Sequence, residues 1–307
     1  MKTRRTGLTV IEILVVVGII ALLVGMLLPA VHTVRKMAQE TKQRAQFTSI
    51  DLGLVAFKND YGDYPPSHWW DPRAGGTGPQ NYCGAQKLAE ALAGWDLLGF
   101  HPDSAWRADG LDQTGTGNTV YHASDSLEER KDRYVDLETA NAFMLGSSGA
   151  NMRDGLFTDT GILASRTYVL CDVFGVGDRQ LILSDGRMTT PGTPILYYRA
   201  NPASRLFDPA NPDDSIYNAR DNAPLINLRR LADWAKPQDA RRRHWFEPDY
   251  KDSGFEFFYE YIRDPKVEAR PSVGGYGWPY RPDSYLLISA GADGLYGTDD
   301  DIKNFGN

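Results

Sequence analysis

The chain has 307 residues, 42% of them hydrophobic, which is enough to bury a core and excludes a wholly disordered protein. Its 33 basic and 40 acidic residues give a net charge of -7, which argues against a protein that binds nucleic acid by bulk phosphate attraction. The two cysteines, Cys83 and Cys171, are too few for a disulfide-rich scaffold or a four-thiolate zinc site.

The first thirty residues indicate the cellular compartment. Residues 1–7 contain three basic side chains, and from Leu8 to Val31 the one charged residue is Glu12. A helix over residues 8–31 would span roughly 36 Å, enough to cross a hydrocarbon core of ~30 Å. Basic flanks stay in the cytoplasm, so we expect the chain after Val31 to lie on the other side of the membrane.

Three classes of segment have this composition. A cleaved secretory signal has a shorter apolar region and a small-x-small cleavage site, to which residues 29–32 are a poor match. A plain membrane anchor leaves Glu12 unexplained, because a carboxylate inside an apolar span is costly and usually functional. The third class is a membrane helix in which the carboxylate has a role, and it accounts for every feature of the block.

A known processing site has this pattern. The run GLTVIE at residues 7–12 resembles the cleavage site of class III prepilins, where a basic leader and a glycine precede an apolar residue and then a glutamate. That family usually has phenylalanine where this chain has Leu8, and Pro29 lies where pilins commonly carry a proline. The resemblance implies that a prepilin peptidase cuts between Gly7 and Leu8 and methylates the new amine. It also implies that Glu12 acts in assembly.

The second half of the predicted helix is amphipathic. From Thr33 onwards, apolar residues recur every three or four positions with charged residues between them. The pattern reaches Asn59, and a glycine and a double proline within residues 62–66 end it. A membrane anchor on a coiled-coil stalk would show sustained heptads, and none is present. We expect one helix over residues 8–60, with residues 8–31 in the membrane.

The remaining residues, 61–307, predict a head of mixed secondary structure outside the membrane. Residues 57–65 resemble the turn that follows the long helix in major pseudopilins of type II secretion. In that family a short helix follows the turn, so the resemblance implies a helix at Gln86–Leu92. Periodicity and composition predict strands at Arg166–Cys171, Gln180–Ser184, Ile195–Arg199 and Ser284–Ser289, a helix at Leu225–Ala235, and loops at about 71–81, 110–119 and 201–224. The expected fold class is α+β and pilin-like, with a long N-terminal spine helix packed on a small antiparallel sheet and large loop-rich insertions.

An acidic, glycine-rich segment at residues 289–302 follows the last predicted strand. Carboxylates on a tightly folded backbone suit calcium, which takes six to eight oxygen ligands, although the EF-hand spacing is absent. A solvated acidic tail is the alternative. The segment resembles the C-terminal calcium loop of major pseudopilins. That resemblance implies a structural calcium ion held by the side chains of Asp293, Asp300 and Asp301 and by the backbone carbonyls of Ala290 and Leu295.

Catalytic motifs are absent from the sequence. The five histidines are scattered without zinc-ligand spacing, and neither a GxSxG elbow nor a P-loop occurs. We therefore expect a non-enzymatic protein. Cys83 and Cys171 would form one disulfide in an oxidising space, or would stay as free buried thiols.

These resemblances imply a structural subunit of a type II secretion pseudopilus. Such a subunit is a single-pass inner-membrane protein with its head in the periplasm, and it self-assembles through its N-terminal helix into a helical filament. Its partners would be the prepilin peptidase, the inner-membrane assembly platform and the minor pseudopilins, with no nucleic acid. Two alternatives stay open: a type IV pilus-like surface fibre, and a membrane-anchored periplasmic binding module or hydrolase that uses a pilin-type leader.

Overall fold

A long N-terminal helix, α1, runs from Val10 to Tyr61, close to the predicted residues 8–60. The computed structural model describes residues 9–69, 81–111, 120–122, 126–147, 154–175, 180–183, 186–228, 231, 243–267 and 277–306. The chain divides into two compact units, Met1–Lys42 and Gln43–Asn307. The second half of α1 therefore belongs to the same unit as the head.

The start of α1 is fixed by a capping box. The Thr9 backbone N–H and its Oγ1 both donate to Glu12 Oε2 at 2.8 Å. In return, the Glu12 backbone N–H donates to Thr9 Oγ1 at 3.3 Å. A threonine before the helix and a glutamate three residues later satisfy each other's backbone donors in this way. Glu12 thus has a local structural role that the sequence analysis did not assign.

The first unit carries an exposed apolar helical face. Between Val10 and Leu28 the large apolar side chains are exposed, and none of the most apolar stretch is buried within the protein. Soluble proteins rarely expose so much contiguous apolar surface. Among the described residues, α1 is long and apolar enough to cross a membrane, as predicted.

The second unit is α+β, and its strands are short and antiparallel. Its further α-helices are α2 (Gly84–Ala93), α3 (Leu137–Ala140), α4 (Ala223–Ile226) and α5 (Glu256–Ile262). Its strands are β1 (Ala142–Met144), β2 (Tyr168–Leu170), β3 (Leu181–Ile182), β4 (Met188–Thr189), β5 (Leu196–Arg199), β6 (Tyr285–Ser289) and β7 (Ile302–Lys303). They form the pairs β1–β2 and β3–β4 and the three-stranded sheet β5–β6–β7. Each of the four predicted strands contains one of these.

The core joins the second half of α1 to α2 and the three-stranded sheet. One apolar cluster contains Phe47, Ile50 and Leu54 of α1, Leu88 and Leu92 of α2, and Tyr197 and Leu287 of the sheet. Two buried glutamines of α1 add polar contacts: Gln46 Nε2 donates to the Cys171 carbonyl at 2.9 Å, and Gln43 Oε1 accepts from the Val173 backbone N–H at 2.9 Å. Apolar packing thus fixes the three-stranded sheet to α1, and the two bonds fix the segment after β2 to the same helix.

Helix α2 lies unusually close to strand β5. A Cβ added at Gly84 would lie 2.3 Å from the Tyr197 carbonyl oxygen, so no larger residue fits there. Asn222 links the same two elements, since its Oδ1 accepts from the Ala85 backbone N–H at 2.9 Å and its Nδ2 donates to the Tyr197 carbonyl at 2.8 Å. The first turn of α2 is thereby held on the sheet.

One prediction for the head needs correction. The helix expected at Leu225–Ala235 is the four-residue α4, Ala223–Ile226, which ends in a turn. Residues 229–230 and 232–240 lie outside the described residues, as do most of the loops expected at 71–81 and 110–119. Apolar spacing alone overestimated the helix, because a strict period over a few residues also fits a turn that packs on a core.

The two cysteines are free thiols, and no disulfide joins them. Both side chains are fully buried in one apolar cluster. Burial raises the pKa of Cys83 to about 12, and burial with the nearby Asp172 charge raises the pKa of Cys171 well above its usual value. Thiolates are the reactive species, so this burial also keeps both residues inert.

The close approach of α2 to β5 gives a stability prediction. Gly84→Ala should lower the free energy of unfolding by about 1–3 kcal/mol, because the new methyl group meets a backbone carbonyl that cannot rotate away. Urea denaturation of the full-length protein in detergent, followed by tryptophan fluorescence, measures the change. The control is Leu98→Ala, at a half-exposed side chain, which should stay within about 0.5 kcal/mol of the parent. A Gly84→Ala protein as stable as the parent would contradict the tight packing.

Candidate functional site: the acidic C-terminal loop

The acidic loop at residues 289–302 connects β6 directly to β7, so both of its ends are anchored in the three-stranded sheet. Its backbone needs glycine at two places. Gly291 has a φ of 64°, and a Cβ there would lie 2.3 Å from the Asp300 carbonyl oxygen. Gly297 has a φ of 94°, and a Cβ there would lie 2.8 Å from Trp245 Cβ. The loop is therefore folded against itself and against its neighbours, and it is not a solvated tail.

This fold brings the three predicted carboxylates together. The Asp293 backbone N–H donates to Asp300 Oδ2 at 3.0 Å. Thr298 Oγ1 donates to Asp300 Oδ1 at 2.7 Å and lies 3.4 Å from Asp301 Oδ1. Asp301 Oδ2 accepts from the Gly297 backbone N–H at 2.7 Å. The three acids thus share one small loop, in which Thr298 Oγ1 contacts Asp300 and Asp301 and the Asp293 backbone contacts Asp300.

The electrostatics of the loop are unfavourable for ionised Asp293 and Asp301. Burial, together with the charges of Asp300 and Asp293, raises the pKa of Asp301 to about 8. Burial also raises the pKa of Asp293, and the nearby Asp300 charge acts in the same direction. Like charges that lie close together disfavour ionisation in this way. A bound cation would remove this repulsion. The crowding of carboxylates with raised pKa values is therefore the feature of the loop that fits a metal ion.

The two residues predicted to supply carbonyl ligands, Ala290 and Leu295, have different surroundings. Ala290 is fully buried. The Leu295 carbonyl oxygen lies 3.2 Å from Thr298 Oγ1, whose single proton points to Asp300. In the part of the chain that the structure describes, no group of three or more His, Cys, Asp or Glu side chains is already placed around one metal position. The carboxylates instead accept hydrogen bonds from the loop's own donors, so the calcium ligand set stays a prediction.

Asp172 is a member of this site that the sequence analysis missed. It is fully buried below the loop, where its Oδ2 accepts from Ser289 Oγ at 2.9 Å. Its Oδ1 accepts from the backbone N–H groups of Thr193 at 3.0 Å and Phe174 at 3.2 Å. Burial raises its pKa to about 8, and the Asp301 charge contributes. Asp172 lies just beyond the predicted strand Arg166–Cys171, but its partner Ser289 is 117 positions away, so no local signal in the sequence identified it.

A second layer of side chains supports the loop from outside. Tyr261 of α5 donates its hydroxyl to Asp301 Oδ2 at 2.9 Å. The Tyr296 backbone N–H donates to His244 Nδ1 at 3.1 Å, and the Trp245 backbone N–H donates to the Tyr296 carbonyl at 2.9 Å. Residues 244–261 therefore pack against the loop, which links the loop's order to that of the aromatic segment around α5.

The predicted processing and assembly residues lie at the other end of the chain. Gly7 and Leu8 fall outside the described residues. Glu12 is the partner of Thr9 in the capping box at the start of α1. The structure thus shows the local surroundings of Glu12 but carries no information on cleavage between Gly7 and Leu8.

A second polar cluster bears on the hydrolase alternative. Ser67, His68 and Asp221 line one cavity, and these residue types also form catalytic triads. Here the Ser67 hydroxyl donates directly to Asp221 Oδ2. His68 Nδ1 lies 2.6 Å from Nζ of the buried Lys87, whose ammonium also donates to the His68 carbonyl. A serine nucleophile needs its hydroxyl on a histidine base, whereas the Ser67 proton is donated to a carboxylate.

The structure defines an α+β protein with one described helix able to span a membrane. Compared with models of protein families, with curated proteins and with solved structures, the chain has no match. The evidence on its function therefore lies in its own motifs and geometry.

Asp221 gives a pH-dependent prediction. Burial raises its pKa to about 7, against the opposing effects of Ser67 and Lys87. The folded state holds this proton more tightly than the unfolded chain, whose aspartates have a pKa of about 4. Protonated Asp221 therefore makes its full contribution to the free energy of unfolding below about pH 4, and this contribution is lost as the pH rises to about 7.

Asp221→Asn removes the titration and keeps the shape of the side chain. We expect the variant to exceed the parent in free energy of unfolding by about 2–4 kcal/mol at pH 8, and to match it near pH 4. Urea denaturation at several pH values measures the difference. Asp214→Asn, at an exposed neighbour, should leave the pH profile of the parent unchanged. If the free energies of unfolding of Asp221→Asn and the parent differed by the same amount at every pH, the pKa of Asp221 would be the same in the folded and unfolded states.

Proposed function

We propose that the chain is a structural subunit of a type II secretion pseudopilus. It is made with a basic leader, inserted in the inner membrane, cut between Gly7 and Leu8, and polymerised through its N-terminal helix, with its head in the periplasm. The prepilin peptidase, the assembly platform and the minor pseudopilins are its partners, and it performs no chemistry of its own.

One observation carries the proposal: the GLTVIE motif stands at the very start of a continuous helix that is apolar and exposed from Val10 to Leu28 and ends only at Tyr61. An exposed apolar helix needs lipid or other protein around it. A fibre built from such helices supplies protein on all sides after the subunit leaves the bilayer. A membrane-anchored binding module or hydrolase, the alternative, would need only the apolar half of α1 as its anchor.

The role proposed for Glu12 follows from its position in the apolar face. A carboxylate at this depth is costly without a partner. The Thr9 cap engages Oε2 in all the bonds found among the described residues. The other oxygen can take the positive amine that cleavage creates at Leu8 of a neighbouring subunit. Such a pair would set how far one subunit advances along the next.

We further propose that the C-terminal loop holds a structural calcium ion. Asp293, Asp300 and Asp301 would supply side-chain oxygens, and Ala290 and Leu295 would supply carbonyls. The ion contributes positive charge where the fold crowds acids whose pKa values are raised. Hard oxygen donors without thiolates suit calcium better than zinc. The residues themselves tie β6 to β7, so loss of order here would loosen the sheet.

Processing is the first test of the proposal. Co-expressed with a prepilin peptidase, the protein should lose its leader, and mass spectrometry of the mature N-terminus should find methylated Leu8. Gly7→Val should stay uncut, because the peptidase requires the small residue before the bond. A matched control, Thr6→Val, changes the neighbouring leader position and should still be cut. A mature N-terminus at any other residue would refute the proposed function.

Glu12 gives a prediction that separates charge from capping. Glu12→Gln keeps an oxygen that can accept from Thr9, while Glu12→Ala removes both the charge and the cap. Both variants should be inserted and cleaved but should assemble poorly, as measured by filament yield in cells that contain the assembly machinery. Thr9→Ala, which weakens the cap and keeps the charge, should assemble close to normally. Normal assembly of Glu12→Gln would mean that the cap, and not the charge, matters.

The proposed calcium site predicts that the stability of the protein depends on the ion. If calcium binds the folded state alone, stability rises by about 2.7 kcal/mol when the ion is at 100 times its dissociation constant. We therefore expect a chelator to lower the melting temperature of the full-length protein in detergent, and Asp293→Asn to abolish that response. Asp299→Asn, at an exposed position of the same loop, should retain it. No calcium binding by calorimetry at millimolar ion would refute the site.

A further inference from the structure

A polar cavity of about 470 Å³ lies in the second unit, between the segment before residue 69, the end of β5 and the turns around residues 212–222. Cavities of roughly 300–1,000 Å³ hold small-molecule ligands. Its lining combines charged groups, chiefly Arg199 and Asp221, with apolar walls that include Pro66 and Ile216. Such a lining suits a small polar ligand with a short apolar part.

Asp221, one of the residues that line the cavity, has a buried acceptor oxygen without a donor among the described residues. Asp221 is 4% exposed, and its Oδ2 accepts from the Ser67 hydroxyl. Its Oδ1 is buried and has no hydrogen-bond partner among the described residues. The single proton of the Ser67 hydroxyl is used in that bond, and its oxygen accepts from the Arg199 backbone N–H at 2.9 Å. Buried polar atoms are nearly always paired, so this oxygen calls for a donor from a ligand.

The exposed part of the cavity presents donors. The Arg199 side chain is 29% exposed and forms its ion pair with Asp63 through Nη2. A guanidinium has five N–H donors in a planar fork that matches a carboxylate. Arg199 therefore retains donors for a second anion beside Asp63, and it lies nearer to solvent than Asp221 does.

The charges around the cavity balance one another. Arg199 pairs with Asp63, Arg220 pairs with Asp213, and the positive charge of Lys87 acts on Asp221. A ligand with a single net charge would leave that charge uncompensated at a partly buried site. The ligand that fits is neutral overall, with a donor at its inner end and an acceptor at its outer end.

We propose that this cavity binds a small zwitterion, namely a free α-amino acid or a short peptide with both termini free, with its ammonium on Asp221 and its carboxylate on Arg199. Charge-assisted hydrogen bonds at both ends would give orientation as well as affinity. The apolar walls would accommodate a small side chain. The proposal depends on the cavity alone and is independent of fibre assembly.

Isothermal titration calorimetry of the full-length protein in detergent tests the ligand class. The probes are L-alanine and L-alanyl-L-alanine, each compared with its N-acetylated and its amidated form. At least one free probe should bind, and blocking either terminus should weaken it about tenfold or more, as expected for loss of a charge-assisted bond. Equal binding of the blocked forms, preferential binding of glucose, or no binding at millimolar probe would each overturn the proposal.

Two variants test the placement of the ligand. Asp221→Asn should weaken binding of the free probe about tenfold or more, and Arg199→Gln should do the same. The controls are Asp214→Asn and Arg133→Gln, at exposed residues that do not line the cavity, and both should bind as the parent does. Melting curves establish that each variant is folded before titration. Undiminished binding by folded Asp221→Asn would overturn the assignment.

Discussion

The contact between α2 and β5 is the constraint on which the head depends. At Gly84 the helix backbone lies directly on the Tyr197 carbonyl, and Asn222 bonds to both elements. This contact fixes the three-stranded sheet from which both polar sites extend. Leu196 pairs with Ile288 and Arg199 pairs with Tyr285, so the acidic loop after Ser289 and the cavity beside Arg199 occupy opposite ends of one small sheet.

The features that could be read from the sequence are those encoded by neighbouring residues. The length of α1 and the four strand positions follow from apolar spacing and from the glycine and proline that interrupt it. The helix at α2 follows from the resemblance of the preceding turn to that of pseudopilins. The acidic loop was recognised because its glycines and carboxylates lie within one short segment. The structure brings those carboxylates together, while the calcium ion and the pseudopilus remain proposals.

The features that could not be read depend on residues far apart in the chain. Asp172 meets Ser289 across 117 positions, and Ser67 meets Asp221 across 154 positions. No local pattern encodes such partners, because burial and pairing are decided by how the elements pack. The same limit applies to the cysteines, for which composition left both a disulfide and free thiols open. Glu12 is an instructive contrast: its Thr9 partner is three residues away, and the capping box was readable in principle.

The absence of a bond between Cys83 and Cys171 has a consequence for the order in which the head matures. A head that folds outside the cytoplasm, as proposed, meets oxidants while its thiols are still accessible. Cys83 immediately precedes α2, and Cys171 immediately follows β2. In the folded head both thiols are fully buried, so an oxidant in solution can reach them only before these elements close over them or when they open.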